Sequence, residues 1–267
     1  MKPEMTHLLP TLMPPDPSRL QAADRVGLLE AGHEVNRCMR ALERVGFNLV
    51  GELLKQQGEF VEMEHYPRDD VFDDESHSQY YYHAHRPDAG EHGHFHTFLR
   101  AAGMPSGSQP LNYPPASEAW PQGEDALAHL VGISMDAWGR PIGLFAANRW
   151  VTGETWYPAE DMIEMLPRFS VEHAWPSWPV NRWISAMLRL FRPHIQDLLR
   201  HRDAVITVWQ QSHPGDVFED RDLELTGYLP ISVTGWMSEL AQGVSCASGG
   251  TGGGSGRRSP TEIAISE

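Results

Sequence analysis

The sequence predicts an α+β fold, a mostly antiparallel sheet of about five strands flanked by N-terminal and C-terminal helices. Three observations predict it. Apolar residues recur at helical spacing before residue 58 and again after residue 158. Between these blocks lie short runs that alternate or stay apolar, bounded by Gly and Pro. The blocks follow one another as helices, strands, helices, the order of an α+β chain. With 267 residues, 40% of them hydrophobic, the chain is long enough to bury a large core.

Residues 1–17 read as a Pro-rich arm, 18–242 as a single α+β metal-binding domain and 243–267 as a flexible Gly/Ser-rich tail. Ser18 and Gln21 have capping-box spacing. After them Leu20, Ala23, Leu28, Ala31, Val35, Met39, Leu42 and Val45 place a long helix or helix pair up to about Gln57, with Gly46 and Gly51 as breaks and Gly58 as the stop. Phe60 to His65 alternates as a half-buried strand should, and Pro67 ends it. Asp69, Asp70, Asp73, Asp74 and Glu75 read as a solvated loop, a store of carboxylate ligands being the alternative. Leu127 to Asp136 and Ile142 to Val151 are two strands joined by a Gly/Pro turn at 137–141. Pro158 to Phe169, Pro179 to Phe191 and Pro193 to about Gln211 are helices, each opened by a proline that suits a first turn, and a last short helix starts after Pro230. The tail glycines do not form a phosphate loop, because no strand feeds them.

Asp plus Glu outnumber Lys plus Arg 36 to 21, for a net charge of −15, which argues against a nucleic-acid partner. Cys38 and Cys246 are too far apart to suggest a disulfide framework or a thiolate site, as expected of a reducing compartment. Prolines at 3, 10, 14, 15 and 17 interrupt any signal-like apolar run. No window offers the ~20 apolar residues of a membrane span. A soluble, cytoplasmic chain with no membrane partner is the expectation.

The chemistry lies in the histidines. From Ser76 to His85 the odd positions His77, Gln79, Tyr81, His83 and His85 share one face of a strand, and from His92 to Phe98 the even positions carry His92, His94 and His96. If Arg86 to Glu91 is the connecting loop, His85 faces His92, His83 faces His94 and Tyr81 faces His96. All five histidines, His83, His85, His92, His94 and His96, then converge, and Tyr80, Tyr82, Ala84, Gly93 and Phe95 are left for the core. A slip of one residue would separate the two sets. Opposed β-carbons lie ~5 Å apart, so that imidazole nitrogens can meet one transition metal at ~2 Å. Protonating all five together would set like charges opposite one another, which favours a metal over a pH-sensitive network. Glu91, Glu62 and His129 are candidates to complete the shell. Tyr81 is a candidate hydrogen-bond donor behind the ligands or a redox-active phenol, simple packing being the alternative. Imidazole ligands without thiolates suit iron, zinc, copper, nickel or manganese and argue against an iron–sulfur cluster; iron is favoured, in one or two ions.

His83-x-His85 followed by Glu91 resembles the first motif of the cupins, in which His-x-His and a downstream Glu on antiparallel strands bind metal. The Glu comes about one residue late, the glycine six positions ahead of the first histidine is missing, and His129 would have to serve as the later histidine. The resemblance bears on chemistry alone. There is no nucleophile elbow, no nucleotide-binding glycine loop and no His-x-His-x-Asp-His run, and eight β/α units do not fit. Trp175, Trp178 and Trp183 pack a helix entry or, alternatively, wall a pocket. Three functions remain: a metal-dependent oxidoreductase on a small organic substrate, a non-enzymatic metal storage, delivery or sensing protein, and a structural module with a pH-sensitive histidine face. A sheet with an uncovered face could be completed by a second subunit, making a homo-oligomer.

Overall fold

Six strands pair in sequence order as one antiparallel meander: β1 (Tyr66–Phe72), β2 (Ser78–His83), β3 (Gly93–Arg100), β4 (Leu127–Met135), β5 (Pro141–Ala147) and β6 (Leu225–Pro230). The α-helices are α1 (Ala22–Glu43), α2 (Leu49–Leu54), α3 (Arg149–Thr152), α4 (Ala159–Met165), α5 (Trp178–Leu190), α6 (Arg192–Ser212) and α7 (Val233–Ser248). The molecule is thus of the α+β class, with helices at both ends of the chain. This computed structural model describes residues 12–86, 90–114 and 116–248, with 243–248 as backbone only. Most of the Pro-rich arm, part of the loop after His85 and the tail beyond residue 248 lie outside the described residues.

Strand parity sorts the side chains into two faces. Tyr80, Tyr82, Phe95, Ile133 and Leu144 belong to the main core, where the Tyr80 hydroxyl donates to Asn181 Oδ1 on α5 at 2.5 Å and Phe95 packs on Trp183 at 5.4 Å. Helix α5 is buried on most of its circumference because α1 packs on its far side. Helix α1 meets it with Leu28, Ala31, Val35, Cys38 and Leu42, a stripe at helical spacing. Helix α7 lies on α1, and α6 packs against β5 and β6.

Several sequence expectations shift. The Ser18 amide donates to Asp16, which caps a 3-10 turn at Pro17–Arg19, and α1 starts after Gln21 with no side-chain cap, so no capping box forms. Gly51 lies inside α2, its amide capped by Asn48 at 2.8 Å; the break falls at Gly46, where φ is 79°. The strand expected at 60–65 is a turn tied down by Tyr66, whose hydroxyl accepts from Val61 N and donates to Glu59 O. Strand β1 follows it and includes Pro67, which an edge strand tolerates. The acidic segment is only partly a solvated loop: Asp69 and Asp70 are in β1, and the buried Asp73 accepts the amides of Glu75, Ser76 and Glu172. Strand β5 stops at Ala147 because Asn148 caps α3. Strand β6 had no clear signal, since Leu-Thr-Gly-Tyr-Leu-Pro is short and carries both a glycine and a proline. Helix α7 runs to Ser248, six residues into the segment read as tail. Among the described residues, no helix is long and apolar enough to cross a membrane.

Candidate metal centre

Strands β2 and β3 pair in the register that parity predicts, with Tyr81 opposite His96 and His83 opposite His94. The rings of His83, His94 and His96 stand edge to face, with centroids 4.6, 5.0 and 4.9 Å apart. One ring nitrogen from each lies within 4.8 Å of the others, and all three residues are buried. This group can hold a metal ion. Gly132, opposite His96 on β4, lets Phe145 lie flat over the backbone, since a β-carbon there would collide with the Phe145 ring. Phe145 then closes on His94 and His96 at 5.1 and 5.5 Å.

Hydrogen-bond partners hold the rings in place. Glu91 Oε1 lies 2.7 Å from His94 Nδ1 and accepts from Arg86 Nε at 2.9 Å. Burial raises a carboxyl's pKa, but the hydrogen bond with His94 and the Arg86 charge outweigh it and pull Glu91 down to about 2. His94 Nδ1 thus lies between an ionised carboxylate that only accepts and, 3.0 Å away, Arg86 Nη2 that only donates, which leaves Nε2 as the nitrogen open to a metal. That Nε2 is buried with no hydrogen-bond partner, as is His83 Nδ1. His96 Nε2 lies 3.2 Å from His83 Nε2, and its Nδ1 lies 2.9 Å from His129 Nε2. Burial, reinforced by neighbouring histidine and arginine charges, holds His83 near 2, His129 near 3 and His96 well below its usual value. Burial also takes His94 to about 4, against the pull of Glu91. At neutral pH these rings are neutral, the form that ligates metals.

Of the five histidines expected on one face, His83, His94 and His96 each bring a ring nitrogen into the group, His85 stands against it, and His92 does not join it. His92 lies outside the group: β3 begins at Gly93, so the parity that would place residue 92 does not extend to it. Its ring stacks on Phe60, and its Nδ1 lies 2.7 Å from the Tyr82 hydroxyl. Gly93 permits this, because a β-carbon there would fall 2.5 Å from that hydroxyl. His85 follows the end of β2 and is half-buried, its ring centroid 4.9 Å from that of His83 and 5.0 Å from that of His94. Glu91 and His129 stand behind His94 and His96 respectively, each bonded to a ring nitrogen. Glu62 is exposed on a cleft of about 360 Å³ that Glu91 and His92 also line. Tyr81 packs on His96 and Phe98 and stacks on His65, centroids 3.6 Å apart.

Sequence reasoning missed three contributors. Arg86 lies in the loop that the sequence predicts, yet its guanidinium lies 4.3 Å over Phe145 and binds Glu91. The sequence predicts His65 on a strand; instead its ring stands beside His83 with Nδ1 2.9 Å from Asp70. Glu154 accepts the backbone amide of His129 at 2.7 Å. Only the three-residue separation of Glu91 from His94 beside a short loop could have hinted at such pairing; the partners of His65 and Glu154 are set by tertiary structure.

The fold and site together define an antiparallel α+β protein with a buried three-histidine centre. Residues 29–231 match the model of a domain of unknown function, DUF6969, and the chain belongs to that family. No curated protein and no solved structure matches it.

Proposed function

We propose that this protein is a metal-dependent enzyme, an oxidoreductase on a small organic substrate, with its ion held by His83, His94 and His96. The observation that carries the reading is the buried, unpartnered Nε2 of His94, in a group of three buried histidines that each bring one ring nitrogen within 4.8 Å of the others. Buried polar atoms in folded proteins almost always have partners, and a cation would supply the missing one. The 3.2 Å between His83 Nε2 and His96 Nε2 matches two imidazoles on one ion at ~2.1 Å with an angle of about 100°. Glu91 behind His94 and His129 behind His96 are the partners that orient ligating rings.

Three neutral imidazoles without a thiolate suit iron, zinc, copper or manganese and leave coordination positions open; for an oxidoreductase the redox-active iron is the ion we propose. His85 and His65, both half-buried, form the side from which a small molecule would arrive. Deep burial of the triad supports a second reading, a non-enzymatic holder of the ion. The depressed histidine pKa values work against a pH-sensitive surface.

Elemental analysis by mass spectrometry on untagged protein tests the reading. Wild type and His213→Ala should carry near-stoichiometric metal, and His83→Ala and His94→Ala should lose most of it. Equal occupancy in all four proteins would sink the assigned site, and a wild type that takes up no added metal would remove the basis for an enzyme.

A further inference from the structure

The β3/β4 ladder slips by one residue between Thr97 and Phe98: Val131 stands opposite Thr97 but His129 opposite Phe98, which makes Leu130 the extra residue of a β-bulge. The slip decides which side chain reaches the metal centre. Gly132 and Ser134 lie opposite His96 and His94 on the histidine face. In an unbroken ladder Leu130 would follow them there and His129 would point toward the helices. With the bulge Leu130 joins the hydrophobic core, and the His129 ring stands 4.9 Å from His96 and 5.1 Å from Phe98.

A bulge leaves backbone groups without ladder partners, and here β5 cannot supply them, because its pairing with β4 covers only Gly132 to Met135. The chain returns instead. After α3, Gly153 adopts the left-handed conformation (φ 64°) and turns residues 154–155 alongside the start of β4. The Thr155 amide donates to Leu127 O at 2.8 Å, and the His129 amide donates to Glu154 Oε2 at 2.7 Å. Glu154 is fully buried, and its other oxygen accepts from the Thr152 hydroxyl at 3.2 Å. A carboxylate in a core is unfavourable unless bonded in this way.

We propose that Glu154 is a positioning residue of the metal centre: by accepting the His129 amide it pins the bulge that places His129 behind His96. The inference rests on the metal reading above, and Glu154 acts through His129 without touching a ligand.

The test uses the full chain with Co²⁺ as probe and three variants, Glu154→Ala, Glu154→Asp and Glu154→Gln. The aspartate keeps the carboxyl group but is one methylene short, so it serves if the alanine variant does not fold; the glutamine keeps an acceptor at the same reach. Hydrogen exchange of the His129 amide in the metal-free protein should speed up about tenfold in the alanine and aspartate variants and stay near wild type in the glutamine variant. Co²⁺ affinity should fall by about tenfold in the first two, the loss typical of outer-layer partners, with a changed visible absorption of the bound ion, and glutamine should restore both. An aspartate variant with wild-type Co²⁺ absorption and affinity overturns this proposal alone. Failure of the wild type to bind Co²⁺ overturns the metal reading and this proposal with it.

Discussion

On one side of the sheet Tyr80, Tyr82 and Phe95 are buried within the main core, which includes α1 and α5; on the other, His94 and His96 are buried as deeply among their own neighbours, Phe145, His129 and Arg86. The first side is held by area, since each large apolar side chain removed from water contributes about 1.5–3 kcal/mol and asks for no particular partner. The second side buries imidazole nitrogens, each of which costs free energy unless bonded. Accordingly His94 Nδ1 is matched by Glu91 and His96 Nδ1 by His129, while His83 Nδ1 and His94 Nε2, on two residues of the candidate metal group, are left without a hydrogen-bond partner. The contrast teaches that two adjacent strands serve as support and as site at once, with residue parity alone separating the roles.

The comparison breaks most visibly on the supporting side. Phe95→Ala should destabilise the fold by about 3–5 kcal/mol, the usual cost of a large aromatic core truncation, read as a lower urea midpoint. Metal content per folded molecule should not change; its loss would mean that the faces are coupled. A smaller effect comes from His194 on α6, which is buried between Phe191 and Trp236 with Nδ1 unpartnered. Burial pulls its pKa from 6.5 to about 4. A depressed histidine pKa means that the unfolded chain takes up the proton first, so the stability His194 contributes is present above pH ~6.5 and is lost as pH falls toward ~4, about 3 kcal/mol in all. His194→Phe should therefore lose less stability than wild type between pH 7.5 and 4.5 in urea titrations. The site histidines add their own acid sensitivity, so the difference between the two proteins isolates His194; identical pH slopes would contradict the assignment.

The alternation of His83 with Tyr82 and of His94 and His96 with Phe95 was legible in the sequence, and with it the β2/β3 register, because one face of that pair had to be apolar. The long helices were legible from their apolar stripes and opening prolines, whereas α3 falls partly inside the run that reads as a strand up to Val151. Illegible were features that depend on where a strand stops or slips: β3 starting at Gly93 instead of residue 92, the Leu130 bulge that turns His129 to the site, and β1 starting after a turn pinned by Tyr66. Arg86 and Glu154 were hidden for another reason. Their partners, Phe145 for Arg86 and the His129 amide for Glu154, lie far away in sequence and no local pattern announces them.

His92 offers the mildest and sharpest probe of the two faces. It sits next to Gly93 and two residues from His94, yet its ring serves the supporting side through Tyr82. His92→Ala should leave the buried Tyr82 hydroxyl without its partner and cost about 1–2 kcal/mol, seen as a small drop in the urea midpoint, with bound metal as in wild type. His83→Ala, one strand across, should do the reverse and remove metal. If His92→Ala instead empties the site as His83→Ala does, then β3 extends a residue further in the metal-bound protein, and the five-histidine face expected from parity is the working arrangement.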